Sequence, residues 1–108
     1  MFARSASIRL KPNGLAEFSR VIDSEAIPLL RKQKGFQDEI TFFAPGGREA
    51  VEINLWDREE DADAYGRKAS RGVAKALESV TEGDFEVRTY AVSNSTFHKI
   101  AAPVFARG

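Results

Sequence analysis

Hydrophobic and polar positions alternate with a period of two across Phe2–Leu10. Phe2, Ala6, Ile8 and Leu10 share one side and Ser5, Ser7 and Arg9 the other, the pattern of a strand half-buried in a sheet. Lys11-Pro12-Asn13-Gly14 breaks the alternation, and the period lengthens. Leu15, Phe18, Ile22, Ala26, Leu29 and Leu30 then recur at three- and four-residue steps, the stripe of an amphipathic helix. Pro28 falls inside that stripe and predicts a kink or break, because proline has no N–H and its ring crowds the carbonyl of Ser24. Arg31, Lys32 and Lys34 put positive charge at the helix's negative end, and Gly35 suits a left-handed cap.

Alternation returns over Phe36–Ala44, with Phe36, Ile40 and Phe42 against Gln37, Glu39 and Thr41. It recurs over Glu49–Trp56, with Val51, Ile53 and Leu55 against Glu52, Asn54 and Trp56. Pro45-Gly46-Gly47 between them is a tight turn, so the two strands form an antiparallel hairpin. The aliphatic sets are expected to lie under the helices. That leaves Glu39, Thr41, Glu52, Asn54 and Arg88 on the other face, mixed with Phe43, Trp56, Tyr90 and Val92. Asp57 with Glu60 reads as a capping pair opening an acidic helix, which Gly66 and Gly72 bend or split and Gly83 ends. Phe85–Ser95 is a long last strand. The order predicts an α+β, ferredoxin-like βαββαβ sandwich: a four-stranded antiparallel sheet with helices on one face.

At 108 residues this is one domain. Sixteen basic and sixteen acidic residues cancel, which removes the electrostatic case for nucleic acid or an anionic membrane. The absence of cysteine excludes a disulfide scaffold, a thiolate nucleophile, cysteine-ligated zinc and iron–sulfur clusters. With His98 as the single histidine, no two-histidine metal site forms within one chain. No apolar run approaches the roughly 20 residues of a membrane span, and Met1–Arg4 opens no signal peptide, so the chain reads as cytoplasmic.

Met1-Phe2-Ala3-Arg4 opens a strand ending Leu10-Lys11-Pro12, Ile27-Pro28-Leu29 breaks the first helix, and Lys34-Gly35-Phe36 enters the second strand. Val51-Glu52-Ile53-Asn54-Leu55-Trp56 then runs straight into an acidic helix. Together these resemble the antibiotic biosynthesis monooxygenase superfamily over residues 1–96, leaving 97–108 as a C-terminal tail. The resemblance implies a dimeric α+β barrel, a homodimer whose two sheets pack face to face with the helices outside. An exposed aromatic patch on the sheet points to an interface as well. Members of the superfamily oxidise small aromatic, polyketide-like substrates with O2 and no cofactor, or cleave haem. A non-catalytic dimeric module, binding a small ligand or serving only as an assembly, is the alternative.

Oxidation without a cofactor needs an apolar pocket, a way to remove the substrate's proton and polar contacts for the anion. Trp56 either stacks on a planar ligand or plugs the space between sheet and helix. Tyr65 offers a hydroxyl to the same cleft, or lies on the helix surface. Asn54 shares Trp56's side of the strand and can orient a phenol or carbonyl. His98 is the one side chain of a type suited to proton transfer near neutrality, but it lies beyond the last strand. Arg88 is a candidate contact for an anionic ligand, or the partner of a cross-strand glutamate. Haem cleavage is not expected. The haem-degrading branch uses a first-strand asparagine and a histidine on the second helix, where this chain has Ser5-Ala6-Ser7 and no histidine in 57–80.

Overall fold

In the computed structural model, which describes residues 1–100, strand β1 (Phe2–Leu10) is followed by helix α1 (Leu15–Val21), a π-helical turn (Ile22–Ala26) and α2 (Ile27–Arg31). The hairpin β2 (Phe36–Phe43) and β3 (Glu49–Trp56) comes next, then α3 (Glu59–Arg67), α4 (Ala69–Ala76), a 3-10 turn (Glu78–Val80) and β4 (Thr81–Ala91). The strands form one antiparallel sheet in the order β2-β3-β1-β4, the predicted ferredoxin-like topology. Ala6, Ile8 and Leu10 of β1 meet Phe18, Val21, Ile22 and Leu77 in one apolar cluster, while Leu30, Trp56, Ala62 and Tyr65 form a second. Among the described residues no helix is long and apolar enough to cross a membrane.

The kink expected at Pro28 takes the form of the π-helical turn just upstream. Pro28 then sits in the first turn of α2, where a missing N–H is least costly. Gly35 takes φ +80, and any side chain there would collide with the carboxylate of Asp61. The expected Asp57 capping pair does not form. Arg58 is the N-cap of α3, without a side-chain bond, because Asp57 is engaged elsewhere. Its N–H donates to the Gly35 carbonyl (2.8 Å) and its carboxylate accepts from Gln37 Nε2 (2.7 Å). Gly83, read as a helix stop, lies inside β4 at φ +69, where the pairing with β1 shifts register between Ser7 and Arg9. The last strand therefore starts at Thr81 and ends at Ala91, ahead of the predicted Phe85–Ser95.

The facing of the hairpin is the reverse of the expectation. Directly paired residues share a face, and β1 pairs Ala6 with Glu52, Arg4 with Asn54 and Phe2 with Trp56. Because Ala6, Ile8 and Leu10 lie under the helices, Ala50, Glu52, Asn54 and Trp56 must lie there too, and all four are buried. Val51, Ile53 and Leu55 turn to the open face. On β2 a bulge between Phe36 and Asp38 leaves Phe36 against Trp56, but sends Ile40 and Phe42 to the open side opposite Ile53 and Val51.

Candidate functional site

The alternation of β3 lines up Glu52, Asn54 and Trp56 beneath the helices, joined by hydrogen bonds. The Trp56 indole N–H donates to Asn54 Oδ1 (2.6 Å), and Asn54 Nδ2 donates to Glu52 Oε1 (2.9 Å). Trp56 is fully enclosed, with the Tyr65 ring at 5.2 Å and the edge of Phe36 at 5.7 Å. Of the two roles open to Trp56, the geometry is that of the plug, since no ring face is free to stack on a ligand.

At the Glu52 end of this row a cavity of about 380 Å³ opens between β1, β4 and α4. Arg4, Glu52, Tyr65 and Arg71 supply its polar wall, and Ile8, Val73, Leu77 and Phe85 contribute to its apolar wall. Neither Trp56 nor Asn54 lines it; they brace Tyr65 and Glu52, which do. The Arg4 guanidinium lies 5.2 Å from the centre of the Tyr65 ring, a cation–π contact. Gly66 leaves room for it, since a Cβ there would come within 3.3 Å of Arg4 Nε. A second hollow of about 520 Å³, bounded by Arg9, Glu49, Glu82 and Glu86, holds no buried titratable group.

Burial pushes the Glu52 carboxyl up to about 7; the negative charge of Glu39 and a hydrogen bond with it add to this, while Asn54 and Arg4 oppose it. Burial, followed by the charge of Glu52, pushes the Tyr65 phenol up to about 12, with Arg4 opposing. Near neutrality Tyr65 is therefore a hydrogen-bond donor and not a base, whereas Glu52 changes charge there.

The other two sequence candidates lie elsewhere. Arg88 is opposite Ser5 on the open face, exposed, and bound to Glu86 on its own strand at 2.5 Å, not to a glutamate across the sheet. His98 binds the carboxylate of Asp38, which pairs with Leu55 and shares its open face. Within one chain neither reaches the cavity, because the sheet stands between. Arg4, Glu39 and Glu52 were not among the sequence candidates. The signal for Glu52 lies in the row of hydrogen-bonding residues at 52, 54 and 56, which the aliphatic pattern of β3 assigns to the open face.

No protein-family model matches the sequence, and no curated protein is detectably similar to it. Solved structures are. The chain has the fold of the antibiotic biosynthesis monooxygenases. A monooxygenase from the gene ActVA-Orf6 of Streptomyces coelicolor, in complex with Nanaomycin D, superposes with a TM-score of 0.74 at 14% identity, covering 91% of this chain and 92% of that one. SnoaB, a cofactor-independent oxygenase from Streptomyces nogalater, gives 0.69 at 16% identity, covering 88% and 95%. A conserved protein from Methanosarcina mazei gives 0.70 at 19% identity, covering 82% and 89%. At these identities the likeness is one of fold.

Proposed function

We propose that the protein is a cofactor-independent monooxygenase that oxidises a small aromatic, polyketide-like phenol with O2. The observation that carries this is the cavity itself: an apolar chamber whose polar wall combines a buried carboxyl, an arginine and a protonated tyrosine. A phenol and O2 together yield a quinone and water, with the substrate supplying all four electrons and one oxygen atom entering the ring. Arg4 and Tyr65 hold the substrate oxygen as it becomes an anion. Asn54 and Trp56 keep Glu52 and Tyr65 in place. SnoaB, a cofactor-independent oxygenase, and the ActVA-Orf6 monooxygenase support the same chemistry on this fold. Incubation with 1,5-dihydroxynaphthalene under isotopically labelled O2 is expected to give a hydroxyquinone carrying one labelled oxygen, with one O2 consumed and one water formed per quinone. Quinone formation no faster than with heat-denatured protein would overturn the reading, and binding without O2 uptake would mark a ligand-binding module instead.

The reading includes a homodimer through the open sheet face. Ile40, Phe42 and Tyr90 are each about half exposed there, beside Val51, Ile53 and Leu55, so a second sheet packed on this face would bury a continuous apolar surface. Light scattering at micromolar concentration is expected to return twice the 12.0 kDa chain mass, and Phe42→Glu to return the single mass. A wild-type monomer would defeat it.

A further inference from the structure

The wall of the cavity contains a carboxyl pair whose members open onto different spaces. Glu39 on β2 stands opposite Asn54, and Thr41 opposite Glu52, so the two glutamates are diagonal neighbours beneath the helices. The negative charge of Glu39 favours the protonated form of Glu52. Each also accepts a hydrogen bond from its own strand: Asn54 donates to Glu52 (2.9 Å), and the Thr41 hydroxyl donates to Glu39 (2.5 Å). Glu52, 6% exposed, faces the cavity. Glu39 instead lines a separate groove of about 240 Å³ on the other flank, with Phe18, Asp23, Ile27 and Phe43.

We infer that Glu52 is the proton acceptor of the cavity and Glu39 its outlet, so that a proton taken from a bound phenol or enol leaves through the outer groove. The inference rests on the monooxygenase reading and adds to it the base and the acidity of the substrate. The substrate's O–H bond breaks and a new O–H bond forms on the Glu52 carboxylate, while the electron pair stays on the substrate oxygen beside Arg4. The proton then passes from Glu52 to its diagonal neighbour Glu39 and on to water in the groove. No electron is transferred in this step. Glu52 is faced by Arg4 from β1, Glu39 from β2 and Tyr65 from α3; Arg71 and Glu78 line the cavity from α4 and the turn after it, and Asp84 from β4. Asp23 lines the groove beside Glu39. A carboxyl that changes charge near neutrality can both accept and release the proton, and it selects acidic hydroxyls over ordinary alcohols.

Calorimetric titration with naphthol and with its methyl ether tests this without turnover. Wild-type affinity for naphthol is expected to rise about tenfold as pH increases through about 7, because ionised Glu52 accepts the phenol's hydrogen bond. The ether, which has no proton to give, is expected to bind equally across the range. Glu52→Gln should flatten the naphthol profile to that of the ether. Glu39→Gln should keep the rise but move its midpoint to lower pH, since the like charge is gone and an amide now donates to Glu52. That shift decides the matter even if Glu52→Gln folds poorly. Naphthol that binds wild type with no pH dependence, or a rise that survives Glu52→Gln, would overturn the inference and leave the cavity reading standing. If neither probe binds, the cavity reading fails and the inference falls with it.

Discussion

Replacing Trp56 with alanine is expected to cost about 3–5 kcal/mol of folding stability, the range for deleting a large aromatic from a closed core. The ring has no exposed surface and is held between Tyr65 and Phe36, beside Leu30 and Ala62. Its removal also strips Asn54 Oδ1 of its donor, leaving a buried acceptor unsatisfied, which adds its own penalty. Against the roughly 5–15 kcal/mol that holds a domain folded, this is a large fraction, equivalent to a fall in melting temperature of roughly 15 °C or more. Trp56→Phe keeps one aromatic ring of the packing but loses the second ring with its N–H, so it should lie between the two. Urea denaturation of the three proteins is the measurement. A Trp56→Ala variant as stable as wild type would mean that the ring is not a plug, and would restore it as a ligand platform. Of the two roles the sequence allows for Trp56, the enclosed ring is that of the plug between sheet and helix.

The periodicity of the chain gave the strands and helices in their order, with the last strand placed four residues late, because period-two and period-3.6 patterns are local and survive whatever the elements pack against. Facing is not local. The alternation of β3 divides its side chains into two sets, but which set meets the helices is decided by register with β1, and a single-residue slip inverts it. Assigning the aliphatic set Val51, Ile53 and Leu55 to the core follows hydrophobicity alone. The fold instead buries Glu52, Asn54 and Trp56, whose polar atoms satisfy one another, and leaves the aliphatic set on the sheet's open face. The same inversion hid the carboxyl pair, since Glu39 and Glu52 looked like solvated residues of an interface. Tyr65 was legible as a neighbour of Trp56 from its position on the following helix. Arg4 was not, because its contact with Tyr65 depends on a long-range pairing and on the space left at Gly66.

The stability of the protein is expected to fall as pH rises from about 4.5 to about 7, and Glu52→Gln to abolish most of that fall. In the unfolded chain Glu52 titrates at the ordinary value of 4.5; in the fold, burial and Glu39 raise it to about 7. Below the lower value both states carry the proton and the carboxyl imposes no charge penalty. Between the two values the folded state binds a proton that the unfolded state has released, so stability declines with each step in pH. Above the upper value both are ionised, and the fold bears the full cost of a buried charge facing Glu39, on the order of 3 kcal/mol. A glutamine at this position mimics the protonated acid: it accepts from Asn54 and can donate to Glu39, but never ionises. Wild type and variant should therefore melt together at about pH 4 and diverge at about pH 8, with the variant the more stable. A wild-type melting temperature that stays level between those conditions, or follows the same slope in the variant, would show that Glu52 does not titrate in the fold. A divergence of the expected sign would mean that the chain keeps, in the centre of its sheet, a residue that weakens it at neutral pH. Such a cost is characteristic of a residue retained for what it does and not for how it packs.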